Sequence, residues 1–344
     1  MKSPPKGETN RLNLTKKDYE GAESTLCRGC GHDAITASII TACFELGLDP
    51  KQVIKVSGIG CSSKTTNYFM NTSFGFNGTH GRMAALATGA GLANHHLLPV
   101  GVSGDGDTAA IGLGNFAHMI RRNLNIAYIV ENNGVYGLTK GQFSATADKG
   151  SKSKRGAGNQ DSPIDLVSMA IIMGAGFVAR SFSGDKQQLV ELIKAAIQHK
   201  GAAFIDCISP CVAFNNHPGS TKSFDYVREH NEAVNAIEFI ESKAPIKADY
   251  EPGTTALVRQ HDGTFLKLKK LHSDYDPTDK TAALAYLMAH QAKGEVVTGL
   301  LYVEPDADGL CERMAVTKAP LNSLNEAELC PGSGALEKIN AELR

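Results

Sequence analysis

The sequence predicts an α/β fold: a mainly parallel sheet with helices on both faces. Three observations carry that expectation. From Cys27 onward, short apolar strand-like runs alternate with helix-like runs, which is the pattern of strands joined by covering helices. The strand-like runs are bounded by glycine-rich turns. The chemically unusual residues Cys61, Asp105, Asn132, Asn133 and Cys211 all fall just after such runs, and ligands of parallel sheets sit beyond the C-terminal strand ends.

Residues 1–24 carry no such alternation and are expected to form an N-terminal arm, flexible until it docks. Residues 33–46 read as a helix that Gly47 closes in the left-handed conformation. A short apolar strand over 52–57 runs into Gly58-Ile59-Gly60. Residues 81–95 form a helix whose Ala- and Gly-rich side permits close packing. A buried strand over 98–103 ends in Gly104-Asp105-Gly106-Asp107, followed by a helix over 109–122 and a strand over 125–130. The alternation continues with 164–173, 177–181, 186–199 and 203–208. Residues 144–162 have no periodicity, and two readings stand: a solvated loop, or a mobile segment touching a ligand or partner. After Lys243, residues 255–258 and 265–268 read as a hairpin around the turn 261–263, and 281–292 as a helix. The domain reading is an arm over 1–24, a ligand-binding domain over 25–240, and a C-terminal extension over 241–344 with no readable chemistry.

Composition excludes some functions. The formal charge of the 344-residue chain is -1, which leaves no bulk electrostatic case for nucleic acid or a membrane surface. No apolar run approaches the roughly 18–20 residues of a membrane span. The first ten residues lack the apolar stretch of a signal peptide, so a cytoplasmic protein is expected. In that compartment the eight cysteines point to metal or cluster ligands rather than a disulfide framework.

The strongest chemistry lies on two neighbouring strand ends. Glycines at 104 and 106 let the backbone approach phosphate oxygens, and the helix start after them favours negative charge. Asp105 offers a hard oxygen ligand for Mg²⁺, which prefers oxygens shared with phosphates. After one helix and one strand, Asn133 offers its amide oxygen and Val135 its carbonyl. Asp105 and Asn133 stand 28 positions apart. This arrangement resembles the diphosphate-binding motif of thiamine diphosphate enzymes. Asp107 and Asn132 are further candidates at the cofactor, although Asp107 is also placed to cap the next helix.

Cys27 and Cys30 form a Cys-x-x-Cys bite, and Cys61 and Cys211 are single and distant. Such a set holds either a tetrahedral Zn²⁺ or an iron–sulfur cluster. The position of Cys61 and Cys211 at strand ends near the cofactor favours the redox cluster. Cys43 and Cys207 read as core residues, while Cys311 and Cys330 lack a partner motif.

Six motifs then occur in one order: Cys-x-Gly-Cys-Gly-His, Gly-Ile-Gly-Cys-Ser-Ser-Lys, His80-Gly81-Arg82, Gly-Asp-Gly-Asp, Asn-Asn-x-Val-Tyr-Gly-Leu-Thr-Lys-Gly-Gln and Ser-Pro-Cys. Over about residues 20–240 the chain resembles the beta subunit of a 2-oxoacid:ferredoxin oxidoreductase. The resemblance implies the thiamine diphosphate-binding fold, thiamine diphosphate, Mg²⁺ and one 4Fe–4S cluster on Cys27, Cys30, Cys61 and Cys211. It implies an alpha subunit that completes the coenzyme site, in a dimer of alpha–beta heterodimers. The reaction implied is oxidative decarboxylation of a 2-oxoacid, with coenzyme A taking the acyl group and ferredoxin the electrons. Members with the Cys-Ser-Ser-Lys and Phe143-Ser144-Ala145-Thr146 continuation point to 2-oxoglutarate. Pyruvate, indolepyruvate and a zinc-stabilised scaffold are the alternatives. Lys64 is placed to meet a distal substrate carboxylate, or to be a solvated lysine. Leu138 is placed to line the same pocket. His32 and Gly60 are placed near the cofactors. His80 and Arg82 open a helix within reach of phosphate or substrate, or else serve packing.

Overall fold

The apolar run Val53–Ser57 (β1) is buried at every position, as a strand covered on both faces must be. It pairs in parallel with Phe74–Asn77 (β2) on one side and Leu98–Gly104 (β3) on the other. Parallel pairing continues through Ile126–Asn132 (β4), Ala202–Ile208 (β8) and Phe177–Phe182 (β7). The computed structural model describes residues 8–152, 158–240, 255–259, 265–270, 275–330 and 332–343.

Side-chain alternation along β4 builds two apolar layers. Ala127 and Ile129 join Val100 and Val102 under Gly31–Glu45 (α1) and Lys186–Gln198 (α5). Tyr128 and Val130 face the opposite layer. That layer holds Met83–Ala93 (α2), Leu113–Arg122 (α3), Leu166–Met173 (α4) and Lys280–Gln291 (α7). The α/β fold and mainly parallel sheet expected from the sequence are therefore present.

Several boundaries move for physical reasons. α1 starts at Gly31, behind Cys30 as N-cap. Gly47 adopts φ 55°, and the amides of Gly47 and Leu48 return to the carbonyls of Phe44 and Cys43, closing the helix as expected. The helix expected over 109–122 divides into a π turn over Gly106–Ile111 and α3. Single π turns inside helical segments often mark functional positions. Residues 8–24 are docked on the chain itself: Tyr19 is fully buried, and Asn10 donates to the Tyr19 hydroxyl and the Phe44 carbonyl. The arm expected over 1–24 is thus docked on its own chain where it is described. The segment 144–162 is only partly a solvated loop where it is described. It follows the antiparallel pair Val135–Tyr136 (β5) and Gln142–Phe143 (β6); Ser144, Thr146, Ala147 and Asn159 are buried, whereas Lys149, Gly150 and 160–162 are exposed.

The chain after 240 also enters the main body. Asn231–Ala233 (β9) pairs with a late strand described below, and Asn235–Ile240 (β10) forms a separate antiparallel sheet with Thr255–Arg259 (β11) and Phe265–Lys270 (β12). The expected hairpin strands are thus present, while the turn 261–263 lies outside the described residues. Val296–Val303 (β13), unread in the sequence, pairs antiparallel with β7 and completes the order β2-β1-β3-β4-β8-β7-β13-β9. Leu300, Leu301 and Val303 are fully buried. Replacing Leu301 by Ala should therefore cost about 2–5 kcal/mol, the range for a buried Leu truncation. Urea denaturation checks this, and an unchanged midpoint would mean that β13 is not part of the core.

Candidate functional site

β3 ends at Gly104, and Asp105 follows in right-handed helical geometry at the N-cap of the π turn. Its carboxyl is 2% exposed, and burial raises its pKa against the pull of hydroxyl and amide donors. The two oxygens are unequal. Oδ2 accepts from the Gly134 amide at 3.1 Å, from Thr146 Oγ1 at 2.6 Å and from the Ser144 hydroxyl. Oδ1 has one long contact, the Asn133 amide at 3.4 Å. Oδ1 is thus the oxygen left for a cation.

Asn133 arrives from the end of β4, the neighbouring strand. Its Oδ1 accepts from the Val135 amide at 3.0 Å, and its carbonyl accepts from Asn215 Nδ2 at 2.7 Å. Tyr136 crosses over Gly106, donating its hydroxyl to the Gly106 carbonyl at 3.2 Å. A Cβ at position 106 would run into the Tyr136 ring, so only glycine fits there.

Asp107 does not cap a helix. Its Oδ1 accepts from the amides of Ile59 at 3.2 Å and Gly81 at 2.7 Å and lies 2.5 Å from His80 Nδ1. Its Oδ2 accepts from Ser103 at 2.7 Å. This one carboxylate therefore ties the loops after β1, before α2 and at the end of β3.

The four expected cluster cysteines converge from three loops. Burial pushes the Cys30 thiol up to about 12, with Glu131 and Cys211 adding to it. Cys61 is raised first by burial and then by Cys211, while Lys64 lowers it and Cys27 raises it. A Cβ at Gly137 would touch Cys211 Sγ at 3.6 Å and Cys61 Sγ at 3.7 Å, so the peptide after Tyr136 lies against both sulfurs. Cys43 and Cys207 are fully buried among core side chains, as expected. Among the described residues, no group of three or more His, Cys, Asp or Glu side chains is gathered to hold a single metal ion. Neither expected set is of that kind. The magnesium set has one carboxylate, an amide and a carbonyl, and a four-iron cluster spreads its thiolates wider than one ion does.

Between these groups lies a cavity of about 100 Å³. His32, Gly60, Cys61, His80, Gly104, Asp105, Gly106, Asp107, Asn133, Val135 and Leu138 all line it. Lys64 and Arg82 do not. Lys64 Nζ reaches Thr25 Oγ1 at 3.5 Å, and exposed Arg82 folds onto the Gly81 carbonyl. Asn132 turns away from the cavity, donating to Asp206 Oδ1 at 3.0 Å. His32 is buried, with Nδ1 2.6 Å from Ser209 Oγ and 3.4 Å from Glu131 Oε2. The latter distance would suit an ion pair. However, burial holds His32 down to about 4 and raises Glu131 well above its ordinary value, so it disfavours the charged form of each. Sequence reading missed Glu131, Tyr136, Ser144, Thr146 and Asn215. Only Glu131, a carboxylate closing an apolar strand, carried a readable signal.

Comparison with known proteins agrees with this geometry. Residues 58–207 match the thiamine pyrophosphate enzyme, C-terminal TPP binding domain. The chain is 36% identical over 293 residues to the beta subunit of 2-oxoacid:ferredoxin oxidoreductase 1 from Aeropyrum pernix, covering 85% of this chain and 81% of that one. It is 39% identical over 224 residues to 2-oxoglutarate oxidoreductase subunit KorB from Mycobacterium tuberculosis, covering 64% of this chain and 58% of that one. Among solved structures, it is similar to 2-oxoglutarate:ferredoxin oxidoreductase from Magnetococcus marinus, which has 2-oxoglutarate, coenzyme A and succinyl-CoA bound. The TM-score is 0.71 at 31% identity, covering 92% of this chain and 94% of that chain.

Truncating Asp107 would leave two buried amides and the Ser103 hydroxyl without their acceptor. Asp107→Ala should therefore lower stability by about 2–5 kcal/mol, read as the shift of the urea midpoint. Wild-type stability would show that the three loops are held by something else.

Proposed function

The chain belongs to the family of 2-oxoacid:ferredoxin oxidoreductase beta subunits, and we propose that it is the half of a 2-oxoglutarate-oxidising enzyme that grips the coenzyme's diphosphate. The observation that carries this reading is Asp105: a buried carboxyl in the wall of a cavity shared with Asn133 and Val135, with three hydrogen bonds on one oxygen and a single long contact on the other. That donor set suits Mg²⁺, which takes a few hard oxygens from protein and the rest from phosphate and water. Glycines at 104 and 106, where a side chain has no room, let the backbone approach a diphosphate.

The residues also fit a 4Fe–4S cluster. Cys27, Cys30, Cys61 and Cys211 are free thiols, close enough to influence one another, and Cys61 lines the same cavity. Bound thiamine diphosphate supplies the carbanion chemistry of decarboxylation, and a cluster there supplies a one-electron path to ferredoxin. The chain's own part is to hold and orient. Asp105, Asn133 and the Val135 carbonyl fix the metal, while the β5–β6 turn seats Gly137 against Cys61 and Cys211. The alpha subunit completes the coenzyme site, coenzyme A accepts the acyl group, and the assembly is a dimer of alpha–beta heterodimers in the cytoplasm. The 2-oxoglutarate assignment draws on the KorB relative and the Magnetococcus enzyme. Lys64 and Leu138 are its specificity residues here. Leu138 is exposed at the cavity mouth, and Lys64 sits three positions beyond Cys61 on a flexible side chain free to swing inward.

Two results test this reading. Single Ser replacements of Cys27, Cys30, Cys61 and Cys211 in the alpha–beta complex should each lower iron content, whereas Cys43→Ser should not. Iron lost with Cys43 and kept with Cys211 would replace the ligand set. For the substrate, Lys64→Met should lower kcat/KM for 2-oxoglutarate by roughly 10- to 150-fold, the effect of one charge-assisted contact, and leave pyruvate use little changed. An unchanged ratio of the two substrates returns Lys64 to the solvated surface.

A further inference from the structure

A second cavity, of about 280 Å³, lies behind the first, on the side of α7 and β13. Its wall includes Asn132, Thr146, Asp165, Arg180, Asp206 and Lys222. The acidic and basic groups among them are paired within the chain. Lys222 Nζ meets Asp148 at 3.0 Å, and Arg180 donates to Asp206 Oδ2 at 3.0 Å and Asp165 Oδ1 at 2.5 Å. These four charges are therefore met within the chain, and from Asp206 the wall runs, bond by bond, to Asp105. Asp206 Oδ1 accepts from Asn132 Nδ2 at 3.0 Å. Because a carboxylate paired with Arg180 only accepts, the Asn132 amide nitrogen must face it and the Asn132 oxygen must face Thr146, at 3.0 Å. Thr146 Oγ1 in turn lies 2.6 Å from Asp105 Oδ2.

We propose that Arg180, Asp206, Asn132 and Thr146 form a buried positioning relay that holds Asp105 Oδ2 still and so aims Oδ1 at the cation. Arg180 and Asp206 then act on the metal site without touching metal, coenzyme or substrate. The inference rests on the reading of Asp105 as a Mg²⁺ ligand. The threonine hydroxyl has one proton, shared between Asp105 Oδ2 as the nearer acceptor and Asn132 Oδ1, with Ser144 Oγ also 3.0 Å away, so the amide orientation of Asn132 sets how much of that proton Asp105 receives. Arg180 suits the far end because its planar fork spans two carboxylates at once. Asp165 anchors that end by capping α4 through the amides of Val167 and Ser168.

The test measures thiamine diphosphate retained by the alpha–beta complex after dialysis at graded Mg²⁺, alongside the melting temperature of the metal-free complex. Thr146→Val keeps the shape and removes the hydroxyl. It should raise the Mg²⁺ needed for half-retention by roughly ten- to a hundred-fold, as for one hydrogen bond to a charged group, without a matching loss of melting temperature. Thr146→Ser should restore the wild-type requirement. Asp206→Asn should alter the Mg²⁺ requirement, because it releases the orientation of Asn132, and its combination with Thr146→Val should be less than additive, since both act along one chain of contacts. A wild-type Mg²⁺ requirement in Thr146→Val, failure of Thr146→Ser to restore it, or additive effects in the double variant would overturn the relay. Asp105→Ala serves as the control. If it still binds thiamine diphosphate in a Mg²⁺-dependent way, the reading of Asp105 itself fails. If it loses binding while Thr146→Val behaves as wild type, only the relay fails.

Discussion

Burial of the Asp105 carboxyl is the constraint on which the site depends. A carboxyl at 2% exposure is costly unless hydrogen bonds or a cation compensate it. The chain supplies the first kind of compensation on one oxygen only. Two hydroxyls and an amide crowd Oδ2, whereas Oδ1 keeps a single long contact. That asymmetry is what supports the proposed metal role of Asp105.

Most of the surrounding architecture serves to bring those donors together. Gly134 and Asn133 come from the end of β4, and Ser144 and Thr146 from the segment after β6. The short β5–β6 hairpin between them places Tyr136 over Gly106 and Gly137 against Cys61 and Cys211. Asn215 joins the two halves of the site. Its side chain holds the Asn133 carbonyl, and its backbone amide returns to the Cys211 carbonyl at 2.8 Å. The diphosphate side and the cysteine side of the cavity are therefore parts of one hydrogen-bonded body.

Much of this was legible in the sequence where local chemistry decides. Apolar runs with glycine-rich ends identify β1, β3, β4, β7 and β8, and residues after β1, β3 and β4 line the cavity. The legible part stopped where non-local pairing decides. β13 is an ordinary apolar run whose place beside β7 depends on a partner more than a hundred positions away. Ser144 and Thr146 look like loop residues, since nothing local shows that their hydroxyls close on Asp105. Asn132 sits in an Asn-Asn pair in which either side chain suits a ligand, and only the position of Asp206 turns it away. Asp107 illustrates the same limit: helix capping was the local inference, but three distant loops claim its oxygens.

The central claim is that this chain carries both a Mg²⁺–diphosphate grip and a redox cluster on one cavity. Its most direct test is analysis of the anaerobically purified alpha–beta complex for iron, acid-labile sulfide, zinc and thiamine diphosphate, together with its visible spectrum. The account predicts iron and sulfide in equal amounts at one 4Fe–4S cluster per chain. It also predicts stoichiometric thiamine diphosphate and a broad visible absorption that bleaches on reduction. Zinc in place of iron, with no thiamine diphosphate, would contradict it.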